Sequence, residues 1–298
     1  MMFAGASPGY WIAFHAIVAV LLFVDLVVLQ RRSDSTSIRL AWGWTAVLAA
    51  LAFCFALFLS HTQGRQRGLE FLSGYLVEGS LSIDNLFVFL LMFRSLGLDN
   101  IQQHRVLLWG VLGAIVMRGI FIFAGTALLA RFEWVEYIFG TFLLIAAVRL
   151  LRSKPGTERS WAPARWLLKH ASGTRITLSS FLLIVLAVEA TDLIFALDSI
   201  PAVLAITRDT FVVYTSNIFA ILGLRSLYFA LAGALDRLRL LHYGLALILA
   251  FVALKMLLNR WIQIPVTWSL GFIVVVLTVF AIASRFSASK QHAAETQS

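Results

Sequence analysis

The sequence is poor in charge and in cysteine. Only 13% of its 298 residues are charged, whereas a soluble domain carries about a quarter, and 60% are hydrophobic. This balance excludes a soluble globular protein. The single cysteine, Cys54, cannot form an intramolecular disulfide, and soft metals lose their usual thiolate ligand. No G-x-x-x-x-G-K-[ST] motif is present to drive a reaction with ATP, and we expect no enzymatic activity.

The net charge of +9 indicates membrane topology rather than nucleic-acid binding. The basic residues lie almost wholly in short segments between apolar runs, where the orientation of a membrane protein accounts for them. We therefore expect the lipid bilayer as a partner and no nucleic acid. The sequence predicts no particular oligomeric state.

Nine apolar runs are long enough to cross about 30 Å of hydrocarbon as helices. They predict an all-α, polytopic transmembrane helical bundle of about nine spans. The first run has no basic residue before it and Arg31 and Arg32 after it, which is the reverse of a secretory signal peptide. The runs centre near Val20, Ala50, Leu81, Phe121, Leu143, Val188, Phe219, Leu249 and Val276.

The distribution of the 24 basic residues predicts the orientation. With the N-terminus outside, sixteen fall in cytoplasmic segments, six on the opposite side, and Arg118 and Arg225 inside spans four and seven. We expect a multi-pass protein of the inner (plasma) membrane with its C-terminus in the cytoplasm. Eight spans would instead place both ends on one side. The tail after Phe286 is expected to be disordered.

Two acidic motifs predict an internal repeat. Span three contains Glu78-Gly-Ser-Leu-Ser-Ile-Asp84-Asn85, and span six contains Asp192-Leu-Ile-Phe-Ala-Leu-Asp198-Ser199. Downstream, Arg118-Gly-Ile-Phe in span four matches Arg225-Ser-Leu-Tyr in span seven. Three spans followed by three spans reverse the direction of entry, so the two units are expected to be inverted three-helix repeats, as in many secondary transporters.

The repeat divides the chain into five parts. Residues 1–66 form two N-terminal spanning helices, and residues 67–152 form the first three-helix repeat. Residues 153–175 are a cytoplasmic linker, and residues 176–260 form the second three-helix repeat. Residues 261–298 contain the last spanning helix and a cytoplasmic tail.

Five acids within the spans require compensation, because each opposes insertion at a helix centre by roughly 2.5–3.5 kcal/mol, or about 12–18 kcal/mol together. One explanation is structural: Arg118 and Arg225 form buried salt bridges that only hold the helices in register. Two cations cannot neutralise five carboxylates, however, so we favour a functional site in which the arginines compensate part of the charge. The acids are Glu78, Asp84, Glu189, Asp192 and Asp198.

Residues seven apart lie on nearly the same helix face, which groups Glu78 with Asn85 and Asp192 with Ser199. Glu189 adjoins the second pair. Asp84 and Asp198 point about 120° away from these pairs. We therefore expect both helices to unwind, near Gly79 and before Pro201, so that all the acids converge.

Carboxylate, amide and hydroxyl oxygens suit hard cations such as Mn²⁺, Mg²⁺ or Ca²⁺. Two further residues are possible parts of the transport path. Asp25, in the last turns of span one, either lines this path, reaches the membrane surface or pairs with Arg31, and Asn217 offers an additional oxygen. The histidines, including His104, and the tryptophans, including Trp44, are assigned no role. The predicted metal ligands are Glu78, Asp84, Asn85, Glu189, Asp192, Asp198 and Ser199.

Proton exchange is expected to drive transport. Neighbouring carboxylates in a medium of low dielectric constant repel one another, and metal ligation needs them deprotonated. A bound cation therefore displaces protons, and an inward proton gradient can drive metal outward. No permanently bound cofactor is expected.

The segments EGSLSIDNLFVFLLMF, HRVLLWGVLGAIVMRGIFIFAG, DLIFALDSIPAVLAITRD and YTSNIFAILGLRSLYF resemble the TerC family, especially its Alx-like manganese exporters. The resemblance covers roughly residues 10 to 285. It implies an inner-membrane protein that exports Mn²⁺, with Glu78, Asp84, Asp192 and Asp198 at the acidic motif positions of the family. The family name derives from tellurium resistance, and plant relatives are linked to thylakoid protein insertion.

Other functions are consistent with the same residues. A membrane scaffold or insertion factor, or a tellurium-resistance-associated membrane protein without metal transport, would not need the acids. An intramembrane metal hydrolase would use them around an activated water. These alternatives differ in whether metal crosses the bilayer.

Overall fold

The described part of the chain consists of helices joined by short turns. The computed structural model describes residues 6–30, 38–96, 98–132, 134–152, 178–231, 240–262 and 264–295, and no strand occurs among them. The helices in these segments are α1 (Pro8–Gln30), α2 (Ile38–Thr62), α3 (Arg65–Ser95), α4 (Asn100–Arg131), α5 (Val135–Arg152), α6 (Leu178–Leu204), α7 (Thr210–Leu231), α8 (Leu241–Leu258) and α9 (Val266–Glu295). Each contains one predicted centre, which confirms the all-α polytopic fold.

Five of the described helices are long and apolar enough to cross a membrane. Their spanning segments are Pro8–Asp25, Arg39–Thr62, Asn100–Arg131, Thr210–Ala230 and Val266–Ser284. The apolar part of α8 is shorter, Tyr243–Leu258. Helices α3 and α6 carry the acidic motifs. A helix suits a bilayer because it satisfies its own backbone hydrogen bonds.

Helix α7 lies at the centre of the bundle. Within its segment Thr210–Ala230, 89% is buried, against 17% in Pro8–Asp25 of α1. The most extensive helix contacts are those of α5 with α8, α3 with α7, and α4 with α6. Helix α2 packs against α3 and α7, and α9 against α3 and α8. The four helices that carry the acidic and arginine motifs, α3, α4, α6 and α7, therefore surround one interior.

Local signals define the starts of two of these helices. Asp99 forms a capping box with Gln102: its carboxylate accepts from the Gln102 backbone N–H at 2.7 Å, and the Gln102 side chain accepts from the Asp99 N–H at 3.0 Å. Ahead of α7, the carboxylate of Asp209 accepts from the backbone N–H groups of Phe211 and Val212. These contacts satisfy amides that have no partner within the helix.

The expected breaks in the two motif helices are absent. Helix α3 continues through Gly79, and α6 continues through Pro201 to Leu204. A glycine costs a helix only about 1 kcal/mol, and Pro201 lies in the last turn of α6, where little helix follows it. The tail prediction was also wrong, because α9 continues past Phe286 to Glu295.

The five-part division of the chain stays a prediction. Residues 153–175, the predicted linker, lie outside the described residues. Helix α3 begins at Arg65, two residues before the range predicted for the first repeat, and the other helices from α4 to α8 fall within the ranges predicted for the two repeats.

Candidate functional site

Arg118 of α4 is fully buried and is the centre of a polar cluster within the bundle. Its Nε donates to Asp192 Oδ2 at 3.3 Å and its Nη2 donates to Asp192 Oδ1 at 3.1 Å, so the carboxylate is held at both oxygens. Its Nη1 forms an ion pair with Glu78. The same Nη1 lies 2.8 Å from Asn217 Oδ1 and 3.2 Å from Ser199 Oγ.

This cluster joins four helices through one side chain. Glu78 comes from α3, Asp192 and Ser199 from α6, and Asn217 from α7. All four residues were singled out in the sequence, and the structure brings them together around Arg118. The heptad spacing of Asp192 and Ser199 explains why both reach the same guanidinium from one helix face.

The cluster has more oxygen atoms than donors to satisfy them. Nη1 carries two hydrogens but faces three oxygens, from Glu78, Ser199 and Asn217. Glu78 Oε2, Ser82 Oγ and Asn217 Nδ2 are buried and have no hydrogen-bond partner among the described residues. Buried polar atoms are normally paired. The free carboxylate and hydroxyl oxygens are ligands of the kind that hard cations take.

Glu189 adds a third carboxylate beside the cluster. It lies one helical turn before Asp192 on α6, and both of its buried carboxylate oxygens lack a hydrogen-bond partner. Its side chain packs against Gly113 of α4. When ionised, Glu78, Asp192 and Glu189 together with Arg118 carry a net formal charge of −2. A buried charge of this size needs a cation or protons to balance it.

A narrow, largely apolar cleft lies beside Asp192. It is lined by residues of α3, α4, α6 and α7, among them Phe89, Gly110, Val188 and Asp192. Gly110 lets Val188 approach the α4 backbone closely. Asp192 is therefore the polar group at this crossing of four helices.

The second motif arginine, Arg225, belongs to a different cluster. Its Nη1 donates to Asp25 Oδ2 at 3.0 Å, and its Nη2 lies 3.3 Å from His104 Nδ1. Trp44 Nε1 donates to Asp25 Oδ1 at 2.7 Å. Asp25 is buried rather than at the membrane surface, and it pairs with Arg225. Arg31, the other expected partner of Asp25, lies outside the described residues.

Sequence reasoning missed two members of the Arg225 cluster. Trp44, which is half-buried, donates a hydrogen bond to Asp25. His104, four residues into α4, is buried and stacks on Phe229 with ring centroids 3.8 Å apart. Neither residue lies in an acidic motif, so spacing alone offered no signal for this contact.

The remaining predicted ligands are described only in part. Asn85 is buried on α3, on the face expected from its spacing to Glu78. The side chains of Asp84 and Asp198 lie outside the described part of the structure, although their backbones are helical. Among the described residues, no three His, Cys, Asp or Glu side chains are close enough to hold a metal ion, since Arg118 separates Glu78 from Asp192.

The sequence of this chain is similar to a known family and to several known proteins. Residues 63–292 match the family described as "Integral membrane protein TerC family". An uncharacterized membrane protein of Myxococcus xanthus is 42% identical over 93% of this chain and 92% of its own length. Proteins named "Putative membrane-bound redox modulator Alx" are similar too. The Salmonella typhi protein is 41% identical over 92% of each chain. The Escherichia coli K12 protein is 40% identical over 92% of this chain and 93% of its own.

No solved structure matches the chain. The sequence relationship is nevertheless extensive, because the family match covers most of the chain and the relatives align over nearly their whole length. The shared region includes both acidic motifs and both motif arginines. The chain therefore belongs to the TerC family of integral membrane proteins.

Proposed function

We propose that this protein is a secondary transporter that exports a hard divalent cation, Mn²⁺ in the first instance, from the cytoplasm in exchange for protons. The buried, incompletely paired oxygens around Arg118 are the observation that supports this function. Among the described residues, Glu78 Oε2, Ser82 Oγ and both carboxylate oxygens of Glu189 have no hydrogen-bond partner. A cluster that served only to hold the helices in register would be fully paired, since an unmet buried carboxylate oxygen destabilises the fold.

The net charge of the cluster fits a divalent substrate. Three ionised carboxylates and one guanidinium leave −2, which one divalent cation balances. Arg118 limits the repulsion between Glu78 and Asp192 when no cation is bound, and it occupies one oxygen of Glu78 while leaving the other free. The cation would bind between α3 and α6, at Glu78, Ser82 and Glu189, with Asp192 and Ser199 close by. Asp84, Asn85 and Asp198 are the further candidate ligands from the two motifs.

Exchange for protons follows from the chemistry of these ligands. Carboxylates must lose their protons to bind a metal, and the same carboxylates can accept protons when the metal leaves. If only the loaded and the protonated forms change access, an inward proton gradient drives metal outward. The basic residues favour an orientation with the N-terminus outside and the C-terminus inside.

The helix contacts support an inverted-repeat arrangement for this transporter. Exchanging the two predicted repeats converts the α3–α7 contact into the α6–α4 contact, and both contacts are extensive. The same exchange leaves the α5–α8 contact unchanged. In transporters built this way, one repeat moves against the other around a central site.

The other candidate functions lack a comparable observation. A scaffold or insertion factor, or a tellurium-resistance protein without transport, leaves the buried carboxylates unexplained. A hydrolase would need a route for an organic substrate, and the cleft at Asp192 is narrow and apolar. The redox role in the names of some relatives cannot use an intramolecular thiol pair here, because Cys54 is the single cysteine of the chain.

Metal flux in proteoliposomes tests the proposal. The wild-type protein should move Mn²⁺ with protons moving oppositely, and competing Mg²⁺ and Ca²⁺ should define its selectivity. Glu189→Gln and Asp192→Asn should each reduce Mn²⁺ flux. Glu70→Gln is the matched control: Glu70 is also a buried acid, but it is bonded to Thr207 at 2.6 Å and Gln66 at 2.9 Å, near the start of α3. Absence of Mn²⁺ flux in the folded wild-type protein would refute transport of this ion.

A further inference from the structure

We propose that Asp25, Arg225 and His104 form a proton-binding site that is separate from the Arg118 cluster and couples protons to the movement of the transport helices. This inference rests on the proposed function, since it adds a second proton-binding site to the carboxylates that exchange protons for the metal. The three residues come from α1, α7 and α4, and each is buried. None contacts Arg118, Glu78, Asp192 or Glu189 among the described contacts.

The contacts of Arg225 require two groups to be unprotonated. A guanidinium only donates hydrogen bonds, so His104 Nδ1, 3.3 Å from Arg225 Nη2, must act as the acceptor. The imidazole is then neutral, with its proton on Nε2. Asp25 accepts from Arg225 at one oxygen and from Trp44 at the other, which uses the carboxylate as an anion. A proton from water on Asp25 Oδ2 or on His104 Nδ1 would break a contact with Arg225.

Arg225 is held much less firmly than Arg118. Arg118 uses all three nitrogens and contacts both oxygens of Asp192. Arg225 has one carboxylate oxygen and the imidazole, and its Nε is buried without a partner. The weaker attachment suits a contact that opens and closes, whereas the Arg118 contacts suit a permanent counter-charge.

Breaking the Asp25–Arg225 pair would release one end of α1. Among the described helices, the main contact of α1 is with α7. Asp25 lies near the end of α1, Trp44 near the start of α2, His104 near the start of α4 and Arg225 near the end of α7, so all four lie at one end of the bundle. With the orientation proposed above, this is the cytoplasmic end.

The same two helices connect this cluster to the transport site. Helix α4 carries His104 and Arg118, and α7 carries Arg225 and Asn217. The residue pairs are about 21 Å apart on α4 and about 12 Å apart on α7 at 1.5 Å per residue. Because both helices are continuous, displacement at one cluster is carried to the other. Protonation can thus bias the position of Arg118 without any contact between the proton and the metal.

The titratable groups at this site come from three of the four helices. Asp25, His104 and Arg225 are the charged or titratable residues in these contacts, and α2 contributes only the indole of Trp44. Tyr228, next to Phe229, donates its hydroxyl to Gln103 at 2.9 Å. The proposed proton acceptors are therefore the carboxylate of Asp25 and the imidazole of His104.

The test separates driven transport from exchange. In proteoliposomes, we compare Mn²⁺ uptake driven by a pH gradient with Mn²⁺/Mn²⁺ exchange at equal pH, which needs no net proton movement. Asp25→Asn should reduce the driven uptake by on the order of tenfold, as for the loss of a coupling free energy between two sites. It should leave the exchange close to wild type, and His104→Gln should act in the same direction. Glu70→Gln should affect neither measurement.

The outcomes are distinct. If the wild type moves Mn²⁺ and Asp25→Asn retains full driven uptake with proton countermovement, the proton site is wrong and the transporter remains. If Asp25→Asn also abolishes exchange while folding normally, Asp25 belongs to the metal path, and the inference is again overturned. If the wild type moves no Mn²⁺, the proposed function fails first. Should Asp25→Asn not fold, Asp25→Asn with Arg225→Gln removes both charges and is tested in the same way.

A spectroscopic measurement on metal-free protein checks the site without transport. Acidification should produce infrared absorption of protonated carboxyl groups, and one component of it should be missing in Asp25→Asn and present in Glu70→Gln. A spectrum of the Asp25→Asn protein identical to that of the wild type across the acidic range would overturn the assignment.

Discussion

The carboxylate of Glu189 occupies the space that a side chain on Gly113 would fill. A Cβ atom at Gly113 would overlap this carboxylate, so any larger residue at this position would push the end of the Glu189 side chain aside. The two helices thereby place an unpaired acid one turn from Asp192. The contact is specific to the candidate site, and it suggests a small substitution that disturbs the site without changing any charge.

Gly113→Ala should displace Glu189 and lower Mn²⁺ flux while the protein still folds. Gly271→Ala on α9 is the matched control, because a Cβ there meets nothing within 4 Å. Flux assays on both purified variants, together with their thermal unfolding, decide the question. Equal flux in the two variants would mean that Glu189 is not part of the path.

Gly79→Ala tests whether α3 unwinds during transport. The helix is continuous at Gly79, and a Cβ there has open space around it. If α3 stays helical throughout the cycle, alanine should stabilise the protein by about 0.5–1 kcal/mol and leave Mn²⁺ flux unchanged. A stabilised variant with much lower flux would show instead that the transport cycle requires a break in α3.

Arg118→Gln should destabilise the protein strongly, because Glu78 and Asp192 would remain buried without their cation. Removing one partner of a buried pair costs about 3–5 kcal/mol. Arg208→Gln is the control, since Arg208 pairs with Glu136 at an exposed end of the bundle and such pairs contribute about 0–1 kcal/mol. Thermal unfolding in detergent compares the two. Similar melting temperatures would contradict a structural role for the Arg118 contacts.

Mn²⁺ should stabilise the folded protein if the oxygens beside Arg118 bind it. At a concentration of 100 times the dissociation constant, a ligand adds about 2.7 kcal/mol to stability. The shift in melting temperature should be reduced in Glu189→Gln and retained in Glu70→Gln. An equal shift in both variants would place the bound ion elsewhere.

Cysteine labelling tests the orientation. In a Cys54→Ser background, Ser160→Cys in the predicted linker should react with a membrane-impermeant reagent only from the cytoplasmic side. His61→Cys, at the exposed end of α2, should react from the opposite side. Labelling of Ser160→Cys in intact cells would show that the predicted topology is reversed.

The sequence by itself determined the helices of this protein and much of its candidate site. Long apolar runs must form helices in lipid because no other partner is available for their backbone groups, so each of the nine predicted centres lies in a helix. Polar residues within such runs are costly. For this reason Glu78, Asp192, Ser199 and Asn217 could be selected before any contact was known.

Only the tertiary structure decided how the buried charges pair. The matched positions of Arg118 and Arg225 suggested one shared role, but Arg118 binds Glu78 and Asp192, while Arg225 binds Asp25, which lies 200 residues away in the chain. Helix continuity at Gly79 and Pro201 was likewise not predictable, because local preferences there are small beside the packing of neighbouring helices. Ion pairs form between side chains that helix packing brings together, and spacing within one helix does not specify which helix lies opposite.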